Sequence, residues 1–173
     1  MQLRIIGEIR DGLASANVQW WLFGGWAVDF HLGRVTRDHG DIEFYFWRND
    51  AEALATALRR IGFVPVEIPY ADEALEFLKD GQKICPVMLM RREDDAIVVP
   101  GRWLHWPFLD GVFSGVIASI EDVQAPVMTI ESLLDGRLRY QEHAPGAPPL
   151  RERDIVAIQQ LRSIVESQSI SDG

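Results

Sequence analysis

Asp41 and Glu43 stand two positions apart in the stretch GDIEFYFW, with Ile42 between them and Phe44 after. In an extended strand residues i and i+2 share a face, so the two carboxylates project together while Ile42 and Phe44 point into a core behind them. Two carboxylates this close raise each other's pKa unless a positive charge neutralises them. A divalent cation does so, and Mg²⁺ favours a few carboxylates completed by substrate phosphates. Sixteen positions before Asp41 lies Gly25, the second of a glycine pair that interrupts the apolar run over 18–28. Two glycines between a strand and a helix let backbone approach a phosphate closely, with helix N–H groups aimed at it. A triphosphate on the glycine turn and a metal on the carboxylates together describe phosphoryl or nucleotidyl transfer.

The elements needed to hold these groups are readable around them. Leu3, Ile6, Ile9 and Leu13 recur at helical spacing, which predicts a helix over the first fifteen residues. The aromatic and apolar density of 18–23 predicts a buried strand, 26–32 a short helix ended at Gly33, and 40–47 the strand that carries the acids. Asn49 followed by Glu52 resembles a capped helix start; Leu54, Leu58 and Ile61 continue that helix and Gly62 stops it. A third strand is expected over 63–68. Asp80-Gly81 signals a two-residue hairpin, whose second arm Pro86 should confine to a sheet edge or a bulge. AIVV and the pair GVIAS and QAPVM add short strands. Two helices follow, over 130–140 and 150–167, the second with Ile155, Ile158, Leu161 and Val165 facing inward, separated by the Pro/Gly loop HAPGAPP. Mixed strands and helices followed by helices alone is an α+β order.

At 173 residues the chain reads as one domain with a substantial core, and 47% hydrophobic with 25% charged residues is ordinary globular composition. No apolar run approaches the ~20 residues of a membrane span, and no basic segment followed by an apolar one marks a signal peptide. With Cys85 as the single cysteine there is no disulfide framework or cysteine zinc cluster, so the cytoplasm is the expected compartment. A formal net charge of −9 repels phosphate backbones, which argues against nucleic acid and suits a cationic small molecule.

The block GGWAVDFHLGRVTRDHGDIEF resembles the signature of small nucleotidyltransferases of the DNA polymerase β-like superfamily, which includes the aminoglycoside and lincosamide adenylyltransferases. VVPGRWLHWP, TIESLLDGRLRYQEH and APPLRERDIVAI are similar to less characterised relatives. The resemblance implies a mixed β-sheet flanked by helices, with catalytic sheet and helices in about 1–128 and C-terminal helices in about 129–173. It implies Mg²⁺ on Asp41 and Glu43, which would also be the catalytic pair, and ATP or another NTP with its phosphates on Gly24 and Gly25. Arg37 and His39, in the loop leading into the metal strand, would assist phosphate binding or fasten the loop. Arg137 falls where relatives often carry a lysine and would meet the triphosphate. Asp29, one helical turn after Gly25, would orient the loop.

Such enzymes add a third carboxylate from a later strand, and here KICPVML puts Cys85 in its place. A thiol is a poor Mg²⁺ ligand, and Cys85 reads as a small buried hydrophobe. Glu76, Asp80 or Glu93 would have to reach the site from elsewhere, or the protein manages without the third acid. The leading expectation is transfer of AMP from ATP to a hydroxyl of a small molecule, an aminoglycoside or a lincosamide. The alternatives are a catalytically impaired nucleotide-binding or interaction protein on the same fold, and transfer to a protein or RNA end. Trp103, Trp106 and Phe108 would line an acceptor pocket or pack a loop, and apolar surface over 103–113 would suit a homodimer.

Overall fold

The computed structural model describes residues 1–144, 146 and 148–171, with side chains described through Ser167. The elements follow in chain order as α1 (Gln2–Ser15), β1 (Trp20–Leu22), α2 (Gly24–Leu32), β2 (Asp41–Trp47), α3 (Ala51–Arg60), β3 (Val64–Val66), β4 (Glu76–Lys79), β5 (Gln82–Arg91), β6 (Ile97–Val98), β7 (Ile117–Ile120), β8 (Val123–Pro126), α4 (Ile130–Leu138), α5 (Tyr140–His143) and α6 (Glu152–Ser171). This is the expected α+β order with helices at the C-terminal end. Among the described residues no helix is long and apolar enough to cross a membrane.

Six strands form one mixed sheet in the order β1-β2-β5-β4-β3, with β6 pairing β5. β2 lies antiparallel to β1 and parallel to β5. The alternation read in β2 is realised on both faces. Ile42, Phe44 and Phe46 are fully buried in the main core, with Ile5, Ile6, Ile9 and Leu13 of α1 and Leu54 and Leu58 of α3 in the same cluster. Tyr45 and Trp47, on the other face, pack against a second cluster of Trp21, Leu89 and Val99. The face bearing the acids is thus sealed at the C-terminal end of β2, while Asp41 and Glu43 are only half-buried at the other end.

Five expectations are corrected. The helix-capping reading of Asn49 fails: a 3-10 turn (Arg48–Asp50) precedes α3, and Asp50 at its N-cap makes no side-chain capping bond. The third strand is limited to Val64–Val66 because β4 offers it only three partners. Pro86 lies in the sheet interior, opposite Phe44 of β2, and not on an edge. It is tolerated because the regular ladder between β4 and β5 ends at the pair Phe77–Ile84; beyond it Leu75 donates to the Pro86 carbonyl at 2.8 Å and no N–H is required in return. On α6, Ile158 and Leu161 are buried and Val165 packs partly against the core, but Ile155 is 46% exposed. There α6 overhangs a cleft that its neighbours Val156 and Ala157 line. The expected helix over 130–140 also divides, at Arg139, into α4 and the single turn of α5.

A buried carboxylate fastens the loop that follows β6. Glu73, 7% exposed, accepts from the backbone N–H and Nε of Arg102, both at 3.0 Å, and from Nε1 of Trp103 at 3.2 Å. Trp103 in turn packs on the second cluster. Glu73→Ala is expected to lose roughly 2 kcal/mol by leaving these donors without an acceptor. A thermal melt should read this as a fall of about 4–8 °C.

Candidate active site

The glycine turn and the acid strand meet through the backbone, since Phe23 N–H donates to the Glu43 carbonyl at 3.2 Å. Gly24 opens α2 with φ 66°, a conformation that side chains disfavour. A Cβ on Gly24 would run into the Glu43 carboxylate, and one on Gly25 would strike Arg37 Nη2 and lie 2.6 Å from His39 Nδ1. The glycine pair is therefore required by side chains already present: an acid on one side, and an arginine and a histidine on the other.

Asp29 organises the loop between α2 and β2. Only 1% exposed, it accepts from the Thr36 N–H at 3.0 Å, the Thr36 hydroxyl at 2.5 Å and His39 Nε2 at 2.7 Å. Burial works to raise its pKa, but these hydrogen bonds outweigh it and hold Asp29 below the usual carboxylate range. An ionised carboxylate can only accept, so His39 carries its proton on Nε2. Nδ1 is left toward Gly25, and the ring lies 4.5 Å from that of Trp26. Asp29→Ala is expected to cost about 3 kcal/mol, because buried donors lose their acceptor. Hydrogen exchange should then show residues 36–40 losing protection before the strands do.

Gly24, Gly25, Arg37, His39, Asp41, Glu43 and Arg137, all the site residues expected from sequence, line one cavity of about 540 Å³. Arg137 spans the turn, donating from Nη2 to the Gly24 carbonyl and from Nη1 to the Leu133 carbonyl, each at 2.9 Å. Glu43 is the strained member of the set. Burial, then the neighbouring Asp41 charge, push its pKa to about 7, while Arg137, Lys83 and Arg151 pull partly against the shift. The same face continues to Tyr45, whose hydroxyl is pushed above its ordinary value by burial and by Glu43.

On β5, Cys85 is the register partner of Glu43, and Lys83 that of Asp41. Burial, with Glu43, Asp41 and Glu76 adding to it, pushes the Cys85 thiol up to about 12, so it stays protonated near neutral pH. Asp80 and Glu93 lie exposed in turns away from this face, whereas Glu76 lies on β4 within 3.9 Å of Lys83. Among the described residues no group of three or more histidine, cysteine, aspartate or glutamate side chains is placed to hold a metal ion.

Sequence reasoning missed Lys83 and the run Arg151-Glu152-Arg153-Asp154, which also lines the cavity. Lys83 could have been found from its i,i+2 relation to Cys85. The charged run lies within APPLRERDIVAI, a block similar to relatives, but it reaches the site only through the docking of α6. Arg151 is held by Asp154, with Nε donating at 2.8 Å and the backbone N–H at 3.1 Å.

A family model described as aminoglycoside-2''-adenylyltransferase matches residues 5–132, the greater part of the chain. The chain belongs to this family. A 2''-aminoglycoside nucleotidyltransferase of Klebsiella pneumoniae is 34% identical over 106 residues, covering 49% of this chain and 59% of that protein. The chain thus spans less than two thirds of the length of the curated relatives it matches. Among solved structures, the antibiotic-resistance factor ANT(2'')-Ia superposes with a TM-score of 0.75 at 18% identity, covering 98% of this chain and 87% of that one. The lincosamide antibiotic adenylyltransferase LnuA, with lincomycin bound, superposes with a TM-score of 0.67 at 23% identity, covering 90% and 93%. At these identities the structural likenesses establish the nucleotidyltransferase fold, with its mixed sheet and C-terminal helices.

Proposed function

We propose that the protein transfers a nucleoside monophosphate, AMP from ATP, to a hydroxyl of a small antibiotic, an aminoglycoside or a lincosamide. One observation carries the reading: the paired acids of β2, the glycine turn of α2 and arginines from separate elements face a single cavity. The acids fit a hard cation, since two oxygen-donor groups share a face and burial, then the Asp41 charge, hold Glu43 near pKa 7, a shift that a bound cation would oppose. Asp41 and Glu43 would hold Mg²⁺, which supplies, when bound, charge that stabilises the reacting phosphoryl oxygens. The first turn of α2 offers unpaired N–H groups to the phosphates, and Arg37, Arg137 and Arg151 offer forked donors. The acceptor oxygen bonds to the α-phosphorus as the bond to pyrophosphate breaks, and the hydroxyl proton leaves to water. The relatives named for aminoglycosides and lincosamides support these two acceptor classes, and the net charge of −9 suits a cationic acceptor. In this reading the sheet unit, about 1–128, carries the metal face and the C-terminal helices, about 129–173, close the cleft over it.

The test is pyrophosphate release from ATP and Mg²⁺ across a panel of aminoglycosides and lincosamides. Release dependent on one acceptor supports transfer. The second reading, a nucleotide-binding protein without transfer, is favoured by the lysine and thiol on β5 where an acid is expected. ATP binding in a calorimeter with no release across the panel would select it.

A further inference from the structure

The face that bears the acids also carries a cation of its own. Lys83 projects from β5 beside its register partner Asp41, with Nζ 3.5 Å from Asp41 Oδ2 and 3.9 Å from Glu76 Oε2. The antiparallel register that pairs Phe77 with Ile84 continues one step to set Glu76 across from Cys85. Strands β2, β5 and β4 therefore deliver an acid pair, a lysine with a thiol, and an outer acid to one face. Both ion pairs of Lys83 are longer than a close charge-assisted hydrogen bond, and its side chain stays 40% exposed while lining the cavity. The ammonium is steered by two carboxylates without being consumed by either.

The charges decide how many metal ions this face can take. Asp41, Glu43 and Glu76 with Lys83 sum to two negative charges, which a single divalent ion already balances. A second divalent ion beside Asp41 would stand close to the ammonium, where like charges repel. Among the described residues it would also lack the further ligating side chain it needs.

We propose that Lys83 supplies the second positive charge of this site, so that the protein binds its nucleotide with one Mg²⁺ and one ammonium. Glu76 is a positioning residue that holds Lys83 from the outer strand. The inference rests on the function proposed above.

Paramagnetic counting of Mn²⁺ with a non-hydrolysable ATP analogue tests it without turnover. The wild-type protein is expected to hold one Mn²⁺ per chain. Lys83→Met should still hold one, and should bind the analogue roughly tenfold more weakly in the absence of divalent ions. Lys83→Asp should hold two. Two ions per wild-type chain, an unchanged count in a folded Lys83→Asp protein, or undiminished metal-free binding by Lys83→Met would overturn the proposal while leaving transfer intact. A wild-type protein that takes up neither analogue nor Mn²⁺ would overturn both.

Discussion

Glu43→Gln is expected to lose transfer activity and yet to melt at a higher temperature than the wild-type protein at pH 8 without metal. The reason is the placement of its carboxyl, half-buried beside Asp41 with a pKa pushed to about 7 from an ordinary 4.5. Between pH 4.5 and 7 the unfolded chain releases this proton before the folded one does. The folded state then binds more protons, and stability falls as pH rises through that window. The loss is complete above pH 7 and absent below about 4.5. The full shift corresponds to ~3 kcal/mol, and water reaching the half-exposed face reduces it to roughly 2 kcal/mol. Glutamine keeps the shape without the charge, so melts across pH 5–9 should show the two proteins converging at the acid end. They should separate by about 4–8 °C at the alkaline end. Turnover should fall on the order of 10³-fold, as loss of a group that fixes transition-state charge does. A variant less stable than wild type at pH 8 would refute the burial argument.

Gly24→Ala should strongly damage the acid side of the site. At φ 66° an L-residue is disfavoured by roughly 1–2 kcal/mol. The new methyl would also occupy space held by the Glu43 carboxylate. Glu43 must swing aside, and since misplacement by about 1 Å can cost ~10²-fold in rate, a loss of at least that size is expected. Gly25→Ala acts through different neighbours. Arg37 can withdraw its guanidinium, but His39 is tethered to Asp29 at 2.7 Å and cannot yield without breaking that bond. Both variants should be measured for initial rate and melting temperature. The first should lose mainly activity on the acid side of the site, the second mainly order in residues 36–40.

Much of this was legible because local pattern and tertiary need coincide in β2. Alternation there specified a core face and an acid face, and the glycine pair marked the turn that touches it. What could not be read depended on partners distant in sequence. Pro86, lacking an N–H, points to an edge or a bulge, but its neighbour Leu75 lies outside β4 and sequence gives no account of where a ladder stops. Ile155 fits an inward stripe, but helical spacing cannot foresee that α6 runs out over a cleft. Only the parallel register of β2 and β5 brings Lys83 beside Asp41. Cys85 was recognised as an oddity from sequence; its consequence, a neutral thiol beside the most perturbed acid in the site, needed the structure.

The way α6 is anchored has a thermodynamic corollary. Its first turn supplies charged wall to the cavity, while Ile158 is buried a few residues on and Leu161 anchors the helix in the main core. A molecule gripping both the sheet and that first turn would act as a staple, adding its own binding free energy to the attachment of the helix. Saturating nucleotide should therefore slow amide exchange along α6 more than anywhere in the sheet, making helix and ligand mutual stabilisers.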